Sequence, residues 1–382
     1  MANYDYEIVN GRKIRVRPKE TVSEIDKNGY FRRQPNHFTT PFGDGENDLK
    51  EEGNKRYRLV WAKLCHWSNR AAIVRELEGL EDQISVNMVE HAPHEKNLGW
   101  EYVYNENNID PVLGDQFLSE AYYRADDDYQ GRTTVPALID TTTGKVVNND
   151  YNWLTTYFEV NFRPWHKKGA PELYPVELRE EIDKMNLWLF DNINNAVYRS
   201  SFSRSNEGHF DGVNTFYAAM DRLEKRLETN RFLFGDYVTD SDIRLYVTLA
   251  RLDIRYTAQL GETKRPLYTY KNLWGYAKEL WEIPAFAHHT DFAAIIRQGR
   301  IEGEEDGFRA STHYDLALPK IDWDAQWKVS TERAYLSSDP THPIYLGNNR
   351  RFDIDPTWYD LGAESPKKEE KETPPSCGCC CG

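Results

Sequence analysis

The sequence of 382 residues predicts two folded parts in series, a small α/β domain followed by an all-α domain. Two observations support this prediction. Between residues 57 and 158 the chain alternates strand-like and helix-like patterns, whereas between 176 and 281 apolar residues recur mainly at three- and four-residue spacing. The length suits such an arrangement, because a domain usually has about 100–200 residues.

Two strands and a helix are predicted in the first half of the α/β part. An aromatic and β-branched run at 57–64 predicts a strand, helical spacing over 68–79 predicts a helix that stops at a glycine, and 84–91 predicts a second strand. Because the helical crossover between the two strands is short, we expect the strands to be parallel.

The second half of this part adds a helix over 116–124, a hairpin and a closing helix over 152–158. The hairpin strands are predicted at 135–140 and 145–149, around a Thr-Thr-Thr-Gly turn that makes them antiparallel. The order β-α-β, α, β-β-α is typical of a thioredoxin-like fold, which is a small mixed sheet with helices on both faces.

The second part is predicted to be helical over 176–198, 214–229, 240–260 and 273–281. Thr239 to Asp242 forms a T-x-x-D pattern that caps the third helix. The expected boundaries are 1–55 for an extended N-terminal arm, 56–160 for the thioredoxin-like domain, 175–300 for the all-helical domain, 301–362 for a C-terminal extension and 363–382 for a disordered linker with a cysteine-rich tail.

Charge and composition argue against several classes of protein. The chain carries 48 Lys and Arg against 62 Asp and Glu, a net charge of −14, which argues against nucleic-acid binding. No long uncharged apolar run predicts a membrane-spanning helix, and the first residues lack the pattern of a secretion signal. The basic stretch 12–17 is expected to be a solvated strand, with a phosphate-binding strip as the alternative.

The five cysteines are unevenly distributed, because four lie within the last six residues and Cys65 is alone in the rest of the chain. This is not a disulfide framework, and it indicates a reducing, cytoplasmic compartment. Cys377, Cys379, Cys380 and Cys381 are close enough in sequence to bind a soft metal ion such as Zn²⁺ or Cu⁺, or to resolve a disulfide at Cys65. An appendage without a specific partner is the simpler interpretation.

Cys65 lies between the first predicted strand and the first predicted helix. At a helix N-terminus, free backbone N–H groups and the helix dipole favour a thiolate. Ser68 stands where a C-x-x-C oxidoreductase has its second cysteine, so a mixed disulfide with a small thiol is the expected intermediate. The Val135–Pro136 step suits a cis-proline facing such a cysteine. The alternative is an inert buried cysteine.

The two residues after Cys65 each allow two interpretations. His66 is either a nearby cation that favours the thiolate or a solvent-facing side chain. Trp67 is either an aromatic platform or part of the core.

Ten short stretches together resemble one known family. They are CHWSNR at 65–70, IVR at 73–75, GLEDQISV at 79–86, GW at 99–100, GRTTVP at 131–136, GKVVNN at 144–149, NNAVYR at 194–199, FLFGD at 232–236, DIRL at 242–245 and NLWGY at 272–276. Over roughly residues 30–290 the chain resembles the glutathionyl-hydroquinone reductases, the Xi class of glutathione transferases.

The resemblance implies a glutathione-transferase helical domain, a homodimer, and an enzyme that has no bound prosthetic group. Its co-substrate would be glutathione or another low-molecular-weight thiol. Cys65 would attack the sulfur of an aromatic or quinol conjugate, and a second thiol would resolve the mixed disulfide. The implied thiol-binding residues are Trp67, Trp100, Arg132, Val135, Pro136, Asp150 and Tyr151, and the implied acceptor-pocket residues are Tyr198 and Tyr256.

Three departures from the family pattern affect these expectations. His66 and Ser68 replace the proline and alanine of the family's C-P-W-A turn. Asp150 and Tyr151 replace the Glu-Ser pair that binds the γ-glutamyl end of glutathione, which leaves the identity of the thiol open. Beyond residue 281, the family's His- and Tyr-rich segment, which lines the quinone pocket, is not recognisable.

Two other functions therefore stay open. One is a non-catalytic protein that binds a ligand or a thiol on the same fold. The other is a transferase that processes halogenated or other electrophiles with the same cysteine.

Overall fold

A computed structural model of the chain describes residues 4–17, 23–92, 98–257, 260–261, 265–296 and 321–337. The four tail cysteines and most of the expected C-terminal extension lie outside the described residues. In the part of the chain that the structure describes, no helix is both long enough and apolar enough to cross a membrane.

Within the described ranges, eight short strands form three sheets. They are β1 (Tyr6–Val9), β2 (Arg12–Arg15), β3 (Tyr57–Trp61), β4 (Ile84–Met88), β5 (Glu90–His91), β6 (Trp100–Glu101), β7 (Ala137–Asp140) and β8 (Lys145–Asn148). The central sheet has the order β4-β3-β7-β8, and the other two sheets are the antiparallel pairs β1-β2 and β5-β6. β3 and β4 are parallel and β7 and β8 are antiparallel, so both predictions about strand direction are confirmed.

Ten named α-helices accompany these strands in the described residues, beside a further helical stretch at 292–296. They are α1 (His66–Glu78), α2 (Leu118–Ala125), α3 (Leu154–Val160), α4 (Arg179–Leu189), α5 (Ala196–Phe202), α6 (Asn206–Arg226), α7 (Asp240–Arg251), α8 (Lys271–Trp281), α9 (Pro284–His288) and α10 (Trp323–Trp327). The thioredoxin-like sheet followed by a helical domain is therefore confirmed, with the expected element order.

Alternating side chains of β3 enter two separate cores. Leu59 packs with Ile73 of α1 and with the helical domain, whereas Val60 packs with Leu118 of α2. Successive side chains of a strand point to opposite faces, so helices cover both faces of the central sheet. The carboxyl end of β3 is thereby directed toward the boundary between the two domains, where Cys65 lies.

The long helix predicted over 176–198 is divided. A 3₁₀ turn (Val176–Leu178), α4, a π-helical turn (Phe190–Asn194) and α5 follow one another. At the π turn the Asn194 amide donates to the Arg244 carbonyl and to Thr248 Oγ1, at 2.9 and 2.7 Å. The polar side chain of Asn194 is therefore satisfied by hydrogen bonds to α7.

The helix predicted over 214–229 begins eight residues earlier, at Asn206, and ends at Arg226. Its first turns contain Gly208 and Gly212, which weaken the helical signal in the sequence. Gly212 is required by close packing, because a Cβ there would lie 2.4 Å from the Ser200 nitrogen on α5. The capping pattern before α7 is confirmed, since Asp242 accepts from the Thr239 backbone nitrogen at 2.8 Å.

The N-terminal arm packs against the rest of the protein. The expected strand is present as β2, but Ile14 and Val16 are buried with Ala92, Leu98 and Phe117, so the expectation that residues 12–17 are solvated is wrong. Farther along the arm, aromatic side chains are also buried, including that of Phe42 in the main core.

Candidate functional site

Cys65 occupies the N-cap position of α1, as the sequence pattern predicted. Its side chain is 8% exposed, and the thiol donates to the Val135 carbonyl at 3.7 Å. The Val135–Pro136 peptide is cis, as expected. Because the first N–H groups of a helix have no partner within the helix, this position favours negative charge on the Cys65 sulfur.

His66 is buried and neutral. It is 1% exposed, and Nδ1 lies 3.1 Å from both Thr248 Oγ1 and the Tyr256 hydroxyl. Burial, together with the nearby charge of Arg251, lowers the pKa of His66 well below its ordinary value of 6.5. Both interpretations from sequence, a cation and a solvent-facing side chain, are therefore wrong. The residue that replaces the family's proline joins the Cys65 turn to the helical domain.

Arg251 of α7 supports the same turn from within the protein. It is fully buried, Nε donates to the Leu64 carbonyl at 2.7 Å, Nη2 donates to the Lys63 carbonyl at 2.9 Å, and Nη1 donates to Asn69 Oδ1 at 3.2 Å. The guanidinium therefore holds the chain on both sides of Cys65. Sequence reasoning missed it, because an arginine in an amphipathic helix usually indicates a solvated face.

A cavity of about 930 Å³ opens beside Cys65. Seven of the ten predicted site residues line it, namely Cys65, Trp67, Trp100, Arg132, Val135, Tyr151 and Tyr198. Pro136, Asp150 and Tyr256 are not among the described lining residues. The structure thus gathers residues from both domains around one thiol.

The polar groups of Arg132 and Trp100 already have partners in the protein. Arg132 donates from Nε and Nη2 to the two carboxylate oxygens of Glu24, at 2.7 and 2.9 Å. Trp100 donates from Nε1 to the Thr133 carbonyl at 3.1 Å, and its ring stacks on His91 with 3.8 Å between ring centroids. The indole therefore offers the cavity an aromatic surface.

Asp150 and Tyr151 have different environments despite being neighbours. The Asp150 carboxylate accepts from Asn36 Nδ2 at 2.9 Å and from the Asn152 backbone nitrogen at 3.0 Å. The Tyr151 ring lies 4.8 Å from the Trp67 ring, and both rings line the cavity. Trp67 is 5% exposed, so it is both a core residue and an aromatic surface of the cavity.

The two tyrosines implied for the acceptor pocket are placed differently. Tyr198 on α5 lines the cavity, with its ring 5.2 Å from His66 and 5.8 Å from Trp67. Tyr256 is 1% exposed, and its hydroxyl contacts His66. In this structure Tyr256 therefore supports the Cys65 turn, whereas Tyr198 faces the cavity.

The N-terminal arm supplies part of the cavity wall, which sequence reasoning missed. Its lining residues are Arg17, Glu24, Ile25, Phe31, Arg33, Gln34 and Asn36. Four aromatic residues between positions 30 and 42 of the arm, Tyr30, Phe31, Phe38 and Phe42, were the available signal. Aromatic side chains in an otherwise polar segment indicate docking onto a folded domain, because they have apolar area to bury.

Arg33 lies against two neighbouring aromatic rings at the cavity wall. Its guanidinium carbon is 4.5 Å from the centroid of Trp67 and 4.4 Å from the centroid of Tyr198, and Nε donates to Asn195 Oδ1 at 2.9 Å. Nη2 is buried and has no hydrogen-bond partner within the described ranges. A cation placed in this way favours an anionic or phenolic group in the cavity.

Positive charge predominates along the described cavity wall. Five arginines line it, Arg17, Arg33, Arg132, Arg204 and Arg255, against one carboxylate, that of Glu24. The chain as a whole has a net charge of −14. A local excess of positive charge in an acidic protein concentrates anionic ligands at the site.

The described residues contain no group of three or more His, Cys, Asp or Glu side chains that is arranged to hold a metal ion. The metal-binding interpretation of Cys377, Cys379, Cys380 and Cys381 concerns residues outside the described part of the chain.

Comparison with known proteins connects this site to a family. The family model described as "Glutathione S-transferase, C-terminal domain" matches residues 197–279. The "Glutathione S-transferase omega-like 2" of Schizosaccharomyces pombe is 35% identical over 280 residues, which cover 70% of this chain and 88% of that protein. The "Glutathionyl-hydroquinone reductase YqjG" of Escherichia coli is 33% identical, covering 63% of this chain and 73% of that protein.

Solved structures agree with these sequence matches. The glutathione-S-transferase Xi of Phanerochaete chrysosporium superposes with a TM-score of 0.70 and 30% identity, over 80% of this chain and 96% of that chain. The glutathione-bound structure of YqjG from Escherichia coli has a TM-score of 0.62 and 30% identity, over 68% of this chain and 86% of that chain.

Proposed function

The chain belongs to the glutathionyl-hydroquinone reductase family, the Xi class of glutathione transferases, and from this premise we propose that it removes glutathione or a related small thiol from aromatic conjugates through Cys65. The observation that carries the proposal is the position of Cys65, the cysteine at the N-terminus of α1, on the wall of a large basic cavity. An inert structural cysteine needs neither the helix terminus nor the cavity.

The proposed reaction has two steps, and in each of them a thiolate attacks a sulfur atom. The Cys65 thiolate attacks the sulfur of the glutathionyl group, a disulfide bond forms between the two sulfurs, and the bond between sulfur and aromatic carbon breaks. The electron pair of that bond leaves with the carbon, which takes up a proton to give the hydroquinone. A free glutathione thiolate then attacks the mixed disulfide, releases glutathione disulfide and restores the Cys65 thiolate.

We assign the thiol to the side of the cavity formed by Trp100, Arg132 and Val135. Arg132 suits the glycine carboxylate of the thiol, because a guanidinium binds a carboxylate with two parallel hydrogen bonds. The γ-glutamyl end would meet Tyr151 where the family has serine. We propose that the thiol is glutathione or a related small thiol.

We assign the aromatic part of the conjugate to Tyr198 and Arg33. The Tyr198 hydroxyl suits a hydrogen bond with a quinol oxygen, and the Arg33 guanidinium beside that ring would stabilise negative charge on such an oxygen. We further propose that the protein works as a homodimer in the cytoplasm, where a lone reactive cysteine stays reduced.

Intact-mass spectrometry tests this proposal. The chain in which the four tail cysteines are replaced by serine leaves Cys65 as its only thiol. Incubation with a glutathionyl-hydroquinone should add the mass of one glutathionyl group to this chain and release the free hydroquinone. The matched Cys65→Ser chain should show neither change. Ligand affinity without an adduct would instead indicate a binding protein and would contradict the proposed reaction.

A further inference from the structure

Glu24 of the N-terminal arm binds the guanidinium of Arg132, the group to which the proposed function assigns the glycine carboxylate of the thiol. The Nε and Nη2 atoms of Arg132 donate to the two Glu24 oxygens at 2.7 and 2.9 Å. The Glu24 side chain is 18% exposed and the Arg132 side chain is 40% exposed, so the pair is partly shielded from water. This is the bidentate geometry that a carboxylate ligand would also use.

The arm places Glu24 with a second set of contacts. Gln34 Oε1 accepts from the Arg132 backbone nitrogen at 2.9 Å, and Gln34 Nε2 donates to the Arg132 carbonyl at 3.0 Å. Glu24 Oε1 also accepts from the Gln34 backbone nitrogen at 2.7 Å. Glu24, Gln34 and Arg132 therefore form one closed unit in which each member holds the other two.

Glu24 is ionised near neutral pH. Burial acts to raise the pKa of Glu24, but the hydrogen bond and the charge of Arg132 outweigh burial and hold the pKa below its ordinary value of 4.5. A negatively charged oxygen pair thus stands at the position where an incoming carboxylate would bind.

We propose that Glu24 is a specificity-determining residue that competes with the distal carboxylate of the thiol for Arg132. A thiol with a charged glycine end must displace Glu24 or share the guanidinium with it, whereas a thiol whose glycine end is an uncharged ester or amide meets no like charge there. This inference rests on the proposed function, because it requires a small thiol to bind at Arg132.

The test measures binding without chemistry, in a Cys65→Ser background, by isothermal titration calorimetry. The probes are glutathione and its glycyl ethyl ester, in which an uncharged ester replaces the glycine carboxylate, and each probe is compared between the chains with glutamate and with glutamine at position 24. Glu24→Gln keeps the shape of the side chain and removes its charge. Glu46→Gln, at an exposed turn of the same arm, is the control for the change in net charge.

Glu24→Gln should bind glutathione about fivefold more tightly, which corresponds to about 1 kcal/mol, a magnitude typical of a partly exposed ion pair. The ester should bind the two chains within about twofold, and Glu46→Gln should change neither affinity. Circular dichroism confirms that the variants fold, and Glu24→Ala, which also removes the charge, should repeat the result for glutathione.

Three outcomes would overturn the inference. Weaker glutathione binding by Glu24→Gln would assign Glu24 a supporting role as an orienter of Arg132. An equal gain for glutathione and for the ester would assign the effect to loosening of the arm. Absence of binding by both thiols in every chain, together with absence of a Cys65 adduct in the intact-mass experiment, would overturn the proposed function as well. This third outcome is distinguishable from normal thiol binding that Glu24→Gln leaves unchanged, which would contradict the inference alone.

Discussion

Replacing Arg251 by methionine is expected to destabilise the protein by about 3–5 kcal/mol, because several buried acceptors lose the same donor group. Three acceptors outside α7 lose their donor, the carbonyls of Lys63 and Leu64 and the side-chain oxygen of Asn69, and the Val247 carbonyl within α7 loses its contact with Nη1. Each buried acceptor left unpaired costs about 1–3 kcal/mol, which gives roughly 3–9 kcal/mol before relaxation. The substitution also removes the free-energy cost of burying the guanidinium away from water, and this offsets part of the destabilisation.

Urea denaturation measures the free energy of unfolding of wild type and Arg251→Met. The matched control is Arg265→Met, which removes an arginine from an exposed ion pair with Asp221 in the same domain. Such a pair contributes about 0–1 kcal/mol, so the control should stay close to wild type. The Arg251 variant should also form the glutathionyl adduct at Cys65 at least about threefold more slowly, because a buried cation beside the thiolate is lost.

A loss of less than about 1 kcal/mol in Arg251→Met would refute the argument that this residue holds the Cys65 turn. A large loss of stability with an unchanged rate of adduct formation, measured at a temperature where the variant is folded, would refute the electrostatic part alone. Arg251→Lys retains the charge but not the planar fork, so it should recover part of the rate and little of the stability.

Three further predictions concern single side chains. Because the pKa of His66 lies well below 6.5, a plot of the rate of Cys65 alkylation against pH should show no histidine inflection between about pH 6 and 7. His66→Gln should leave this pH profile unchanged. An inflection that the variant abolishes would contradict the prediction. Burial raises the pKa of Asp242 from 3.8 to about 6, so between these values the folded state holds a proton that the unfolded state has released. The free energy of unfolding, relative to that of Asp242→Asn, should therefore fall by about 3 kcal/mol as pH rises from about 4 to 7. Denaturation curves at several pH values measure this difference, and a difference that does not change with pH would contradict the argument. Arg33→Met should weaken binding of the conjugate about tenfold in calorimetry with the Cys65→Ser chain, because the cation beside the Trp67 and Tyr198 rings is lost. An affinity within twofold of the parent chain would contradict that role.

The order of elements could be predicted because it depends on short segments. Period-two and period-three-to-four patterns, a glycine stop after α1 and a four-residue turn between β7 and β8 are each encoded within about ten residues. Element ends were less accurate, as the division of the 176–198 helix illustrates. The π turn there depends on the Asn194 contacts with α7, which lie 50 residues away in the sequence.

The candidate site was predictable to the extent that its residues belong to local motifs. Cys65, Trp100, Arg132 and Val135 each lie in a stretch that resembles the family, and all four line the cavity. The arm was not predictable as a cavity wall. Its contribution depends on contacts between residues about 100 positions apart, such as Glu24 with Arg132, and no local pattern encodes such a pairing.

The position of Cys65 at the start of a helix after a buried strand was predictable, because strand, turn and helix signals are contiguous there. The charges around that cysteine were not predictable, because they depend on contacts that form only in the folded protein. Burial against Thr248 and Tyr256 makes His66 neutral, and Arg251 reaches the turn from another domain. Electrostatic environment depends on burial and on distant partners, and both exist only after the chain has folded.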